Sequence, residues 1–134
     1  MKKIYFTVLV LAAFISSCNK NETIPNGDTP IEVSVKVVDA LCSNVILEIQ
    51  DESFKKYGDA NFEFKGSVYT GAVLINQAQC LPASILNNIY DNEKVRVNNI
   101  FKVKISNKPI NNSCDKGTCA ATFEKLPSKV FYLQ

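Results

Sequence analysis

The chain has 134 residues, with 15 Lys and Arg against 13 Asp and Glu, and it contains no His and no Trp. The absence of His excludes triads that need an imidazole base and His-ligated metal sites. The length suits one domain with a real core rather than two, and the near-balanced charge argues against nucleic acid as the natural partner.

The first element in chain order is a leader. Lys2 and Lys3 precede a run of twelve residues, 4–15, that is apolar except for Thr7. A spanning helix needs about 20 such residues, so the run is too short to be an anchor. Small residues follow, Ser16 and Ser17, and then Cys18. This is the layout of a secretory signal peptide.

The ending Ile15-Ser16-Ser17-Cys18 resembles the lipobox of bacterial lipoproteins, with Ile15 where Leu is commonest and Ser17 where Gly or Ala is commoner. The resemblance implies that Cys18 is lipidated and becomes the new N-terminus. Residues 1–17 are then the signal peptide, 18–30 the lipidated end and a tether, and 31–134 a single β domain. Several acyl chains at roughly 0.8 kcal/mol per buried CH₂ suffice to hold a protein on a membrane. A cleaved signal peptide followed by a chance cysteine is the alternative. Loss of Lys2 and Lys3 leaves thirteen basic residues, equal to the thirteen acidic ones. The expected address is the outer membrane, with its periplasmic or surface face open.

Removing Cys18 from the thiol count leaves four cysteines, Cys42, Cys80, Cys114 and Cys119. An even set in an exported protein reads as two disulfides, for which three connectivities exist. A Cys₄ zinc site needs two close pairs, and only Cys114 and Cys119 are near each other. No metal and no cofactor are expected.

Residues 19–30 carry two prolines and a glycine without periodicity, a flexible tether that reaches about 40 Å when extended. Residues 31–38 alternate, with Ile31, Val33, Val35 and Val37 on one face, as in a half-buried strand. The chain bends or bulges over 39–44. Residues 45–50 resume as a second strand, or continue the first, with Val45, Leu47 and Ile49 inward. Residues 51–61 read as a loop or one helical turn around Phe54. Residues 62–75 form a bent strand or a hairpin turning near Gly66. Ile85, Leu86, Ile89 and Tyr90 change the period to that of a short helix behind Pro82, which caps a core.

Residues 93–106 alternate most clearly. Val95, Val97, Phe101, Val103 and Ile105 share one parity, and Ile100 is out of place. Asn98-Asn99 marks a possible hairpin turn, so one long strand or two short ones are both open. An Asn-rich loop spans 107–117, and 118–133 carries the last strand or pair of strands, broken near Leu126-Pro127. Five to seven strands, one late helix and bending glycines predict a mainly β chain, a small OB-like barrel, closed or partly closed. A β-sandwich is the alternative.

The body, from Cys42-Ser43-Asn44-Val45 through Cys80-Leu81 to Cys114, Cys119 and the aromatic end at Phe131 and Tyr132, is similar to small lipoproteins of Bacteroidota-type bacteria. That resemblance implies no particular activity. It favours a bridge between Cys42 and one of the two C-terminal cysteines.

Four residue sets are candidates for chemistry. Asp59, Asn61 and Glu63 alternate as Ca²⁺ ligands would, but six to eight oxygens are needed and Lys55, Lys56 and Lys65 crowd them. Asp51-Glu52 and Asp91 with Glu93 are acidic pairs, yet sequence neighbours do not establish a carboxylate pair across a cleft. The spacing from Cys114 to Cys119 is longer than the CxxC of a redox dithiol. Lys94, Arg96, Lys102 and Lys104 share a parity that an OB-like barrel uses for polyanions, but stacking aromatics on that parity are missing. The expectation is a lipid-anchored, non-enzymatic accessory or binding module of the envelope with a possible envelope protein partner. The alternatives are an inhibitor or small-molecule binder using the barrel mouth, and a carboxylate-dependent hydrolase.

Overall fold

The structure is a computed structural model and describes residues 29–109 and 121–134. The leader, Cys18, nearly all of the tether, Cys114 and Cys119 lie outside the described residues.

Five strands close a barrel: β1 (Ile31–Leu41), β2 (Asn44–Ile49), β5 (Ala72–Ile75), β8 (Ile100–Ser106) and β9 (Val130–Leu133). Their order around the barrel is β1-β2-β5-β9-β8, closing back on β1. Every pairing is antiparallel except β5 with β9. Third beside fifth, and fourth beside first, is the OB-like arrangement, with helix α2 (Ala83–Ile89) between the third and fourth barrel strands. A closed barrel also leaves no free edge in its main sheet.

β1 makes closure possible because it is long enough to pair twice. Residues 31–36 pair with β8, and residues 35–41 pair with β2. The register shifts between Val37 and Asp39, so Val38 is an extra residue in the strand. Before the bulge the inward residues are Val33, Val35 and Val37, and after it Ala40. Strict alternation would have put Asp39 inside, and the bulge keeps its charge out.

The barrel core is aliphatic. Val33, Val35 and Val37 meet Val45, Leu47, Ile49, Val73, Ile75, Val103, Ile105, Phe131 and Leu133. Both ends are plugged. At the β1–β2 turn the Ala78 N–H donates to the Ser43 carbonyl at 2.9 Å, and behind it the 3-10 turn Ala78–Cys80 and α2 place Leu81, Ile85, Leu86 and Ile89 on the core. At the other end of β1, the single-turn helix α1 (Glu52–Lys55) brings Phe54 and Tyr57 against the same core. Asp51 precedes α1 but makes no side-chain cap; its carboxylate accepts the Ser34 N–H at 2.6 Å and ties α1 to β1.

Two small hairpins decorate the barrel: β3 (Phe62–Phe64) with β4 (Ser67–Tyr69), and β6 (Tyr90–Asp91) with β7 (Lys94–Val95). The first turns at Lys65 and Gly66, both with positive φ, the two-residue geometry that matches strand twist. It lies over the outside of β1, β2 and β5, where Val38, Ile46, Phe62, Phe64 and Ala72 make a second core with Tyr69 and Phe123. Gly58 sits beside the base of this hairpin, and a Cβ there would fall 2.3 Å from the Gly71 carbonyl carbon.

Chain turns at Asn98 (φ 66°) divide the long alternating stretch into β7 and β8, the two-strand option. Val97 is therefore not an inward strand residue; it is 51% exposed on the turn, and Ile100 is 58% exposed on the outer face of β8. The final region carries one strand, β9, among the described residues.

Leu47 is fully buried in the barrel, whereas Val68 is 62% exposed on β4. Leu47→Ala is expected to cost about 2–5 kcal/mol in urea unfolding, and Val68→Ala less than about 0.5 kcal/mol. Gly58→Ala is expected to destabilise measurably in the same assay, because backbone rather than a flexible side chain blocks the added methyl.

Candidate functional site

The hairpin covers the outer face of β1, β2 and β5 and is held there by partly buried polar bonds as well as by its phenylalanines. Glu48, on the outer side of β2, lies under it. Its carboxylate accepts from Lys36 Nζ at 2.6 Å, from Gln50 Nε2 at 3.1 Å and from the Thr70 N–H at 3.2 Å. Lys36 also lies 5.7 Å from the centroid of the Tyr69 ring. Burial pushes the Glu48 carboxyl up, but the bonds from Lys36, Gln50 and Thr70 outweigh it and hold the group below its ordinary 4.5.

Beside the hairpin the barrel surface opens into a groove of about 610 Å³. One wall is β3 with Glu63, Phe64 and Lys65; the other is the stretch 122–125; the floor is Asp39, Ala40 and Leu41 of β1. Its volume lies within the usual range for binding sites. The floor exists because the Val38 bulge turns Asp39 to the outside. There Asp39 accepts the Ala40 N–H at 2.8 Å and Lys65 Nζ at 2.6 Å. That partner holds the exposed Lys65 ammonium above its ordinary 10.5.

The groove's cations are engaged. Lys65 pairs with Asp39 and stands 5.3 Å from the Phe64 ring centroid, and Lys125 stands 5.7 Å from that of Phe62. Glu63 and Glu124 have no ion-pair partner among the described residues. Phe123 meets Phe64 edge-on at 5.6 Å, which fixes the 122–125 wall against the hairpin. The base of that wall is clamped by Asp59, whose carboxylate accepts both the N–H and the hydroxyl of Ser128 at 2.6 Å each. A second, shallower groove of about 490 Å³ shares Glu63, Phe64, Lys65 and Lys125 and runs on over the hairpin tip to Val68.

The residues singled out by sequence are scattered by the fold. Asp59 is a structural clamp, Glu63 is on the groove wall, and no group of three His, Cys, Asp or Glu able to hold a metal occurs among the described residues. Asp51 is bonded to β1, and Glu52 pairs with Lys55 across one turn. Asp91 ends β6, and Glu93 is the second residue of the β6–β7 turn.

The basic set does not form one strand face. Lys94 and Arg96 precede the Asn98 turn and Lys102 and Lys104 follow it; the Arg96 guanidinium donates to the Asn87 carbonyl at 2.8 Å, and Glu32 faces Lys104 across β1 and β8. Tyr90, at the α2 end, has its hydroxyl pushed up by burial and by the Asp39 charge. Cys42 lies in the β1–β2 turn and Cys80 in the 3-10 turn. Among the described residues no helix is long and apolar enough to cross a membrane.

Sequence reasoning missed the groove and the second core. The available signals were the runs Val37-Val38, Val45-Ile46-Leu47 and Ala72-Val73-Leu74-Ile75, which are apolar at both parities and so mark strands covered on both faces.

No family model matches the chain, nor does any curated protein or solved structure.

Because the folded Glu48 carboxyl titrates below its unfolded value, its contribution is complete above the unfolded pKa and is lost as pH falls through the folded one. Glu48→Gln is expected to lose roughly 1 kcal/mol near neutral pH, allowing for partial solvent screening. The gap between variant and parent should close on acidification to about pH 3, measured by denaturant unfolding at both pH values.

Proposed function

We propose that this chain is a lipid-anchored envelope protein that works as a non-enzymatic binding module, and that its ligand surface is the groove between β3 and 122–125. The observation that carries the reading is where space exists. The barrel interior is packed with aliphatic side chains and plugged at both ends, while a groove of about 610 Å³ lies outside it. This favours a surface binder over a small-molecule carrier that uses the barrel mouth. Of the groove's three carboxylates, Asp39 is bonded to Lys65 and to the Ala40 N–H, and Glu63 and Glu124 stand on opposite walls.

The anchor is read from Ile15-Ser16-Ser17-Cys18 and the tether from residues 19–30. Together they would hold the domain off the outer membrane through acylated Cys18. Cys42, Cys80, Cys114 and Cys119 form two disulfides on this reading, with Cys42 bridged to a C-terminal cysteine. Chain connectivity supports that choice. Cys119 precedes Thr122 by three residues, at most about 11 Å of chain, and Thr122 borders the same groove as Leu41, the neighbour of Cys42.

Mass spectrometry of the protein isolated from membranes tests the anchor and the bridges together. The expected result is a triacylated N-terminal Cys18 peptide and, without reductant, a peptide joining Cys42 to Cys114 or Cys119. An unmodified Cys18 contradicts the anchor, and a Cys42–Cys80 peptide contradicts the bridge. The groove is tested by photo-crosslinking in living cells. Thr122→p-benzoylphenylalanine should give a discrete adduct that Lys104→p-benzoylphenylalanine does not. No adduct at 122, or the same adduct from both positions, contradicts the surface assigned.

A further inference from the structure

The β3–β4 hairpin is a two-stranded sheet that pairs with no other strand. Its two-residue turn makes Phe64 and Ser67 the pair that exchanges hydrogen bonds, and Phe62 with Tyr69 the next such pair. Glu63, between them, then points its main-chain N–H and C=O away from β4. Among the described residues nothing bonds to either group. Glu63 is also the residue of β3 that forms the groove wall together with Phe64 and Lys65. A strand edge with an unpaired donor and acceptor thus borders a groove of about 610 Å³ that continues along the hairpin.

We propose that the groove binds an extended polypeptide segment of a partner protein, added as a third strand to the β3 edge, with a basic side chain flanked by apolar ones. The proposal rests on the groove being the ligand surface and adds the ligand's chemistry. Strand addition of this kind draws affinity from main-chain bonds and specificity from alternate side chains.

The side-chain pattern follows from the pleat. Phe62 and Phe64 are buried against the barrel, and Glu63 between them is exposed on the other face. A ligand residue opposite Glu63 projects on the same face as Glu63, where a Lys or Arg pairs with its carboxylate. The residues on either side of it project toward the floor, where Leu41 and the partly buried Phe123 offer apolar surface.

Charge points the same way. Lys65 and Lys125 are held over Phe64 and Phe62, and Lys65 is also paired with Asp39. The carboxylates left over are Glu63 on one wall and Glu124 on the other. A nucleic acid or an acidic peptide would meet those two charges unfavourably, and a basic segment meets them favourably.

The probe is acetyl-Thr-Val-Lys-Val-Thr-amide, titrated into the whole chain purified in detergent and followed by amide chemical shifts. Three comparisons accompany it: the same peptide N-methylated at both Val and at Lys, the peptide with Glu in place of Lys, and xylohexaose. Saturable shifts are expected at Glu63 and at residues 122–125, with Lys104 on β8 unmoved. The methylated peptide keeps charge and side chains but loses the donors, and should bind at least about tenfold more weakly, the equivalent of roughly 1.4 kcal/mol. Glu63→Gln combined with Glu124→Gln should weaken the unmethylated peptide by about 2- to 10-fold, with the unfolding midpoint checked in parallel.

No saturable shift, equal binding of the methylated peptide, equal binding of the Glu peptide, or preference for the oligosaccharide would each overturn the proposal. The last of these, or a groove-specific adduct at position 122 without peptide binding, would leave the surface assignment standing and remove only the peptide.

Discussion

The bulge at Val38 is the constraint from which both the core and the groove follow. β1 must pair with β8 along its first half and with β2 along its second. Its sequence places valines at alternate positions up to Val37 and then an aspartate at the next inward position. One extra residue solves the conflict. It puts Ala40 inside, keeps Asp39 outside, and seats Val38 itself in the outer cluster with Ile46, Phe62 and Phe64. A buried unpaired carboxylate would cost several kcal/mol, so the register is strongly specified at this point. The same local bend that protects the core supplies the floor of the groove.

The outer cluster has a functional consequence. OB-like barrels present the face of their second and third strands to ligands. Here those strands are β2 and β5, and their outward residues Ile46 and Ala72 are fully buried beneath the β3–β4 hairpin. Glu48 beneath Thr70, and Lys36 beside Tyr69, fasten the hairpin down. The usual face is occupied by the protein's own chain, and the open surface is displaced to the hairpin's far side, against residues 122–125.

Much of this fold was legible because its signals are local and periodic. Val33, Val35 and Val37, then Val45, Leu47 and Ile49, alternate as barrel strands must, and Ile85 with Ile89 marks the helix that plugs one end. The groove was not legible. It joins residues 39–41, 63–65 and 122–125, which only the closed topology brings together. Parity arguments also failed at turns: Asn98 reverses the chain inside one apparently continuous alternation, which exposes Val97 and separates Arg96 from Lys102. Asp59 and Glu63 were visible as a carboxylate pattern, but their roles, clamp and wall, depend on Ser128 and on β4, which spacing does not reveal.

On the proposed reading, ligands meet this protein on the outside, because among the described residues the barrel interior is filled by its own side chains. Xenon-pressurised crystals test it most directly, since xenon fills dry apolar cavities. The account predicts no xenon inside the cage of Val35, Leu47, Ile49, Tyr57 and Ile89, all buried in one packed cluster. A well-occupied xenon site there would contradict it and return the barrel interior as the place where a small molecule binds.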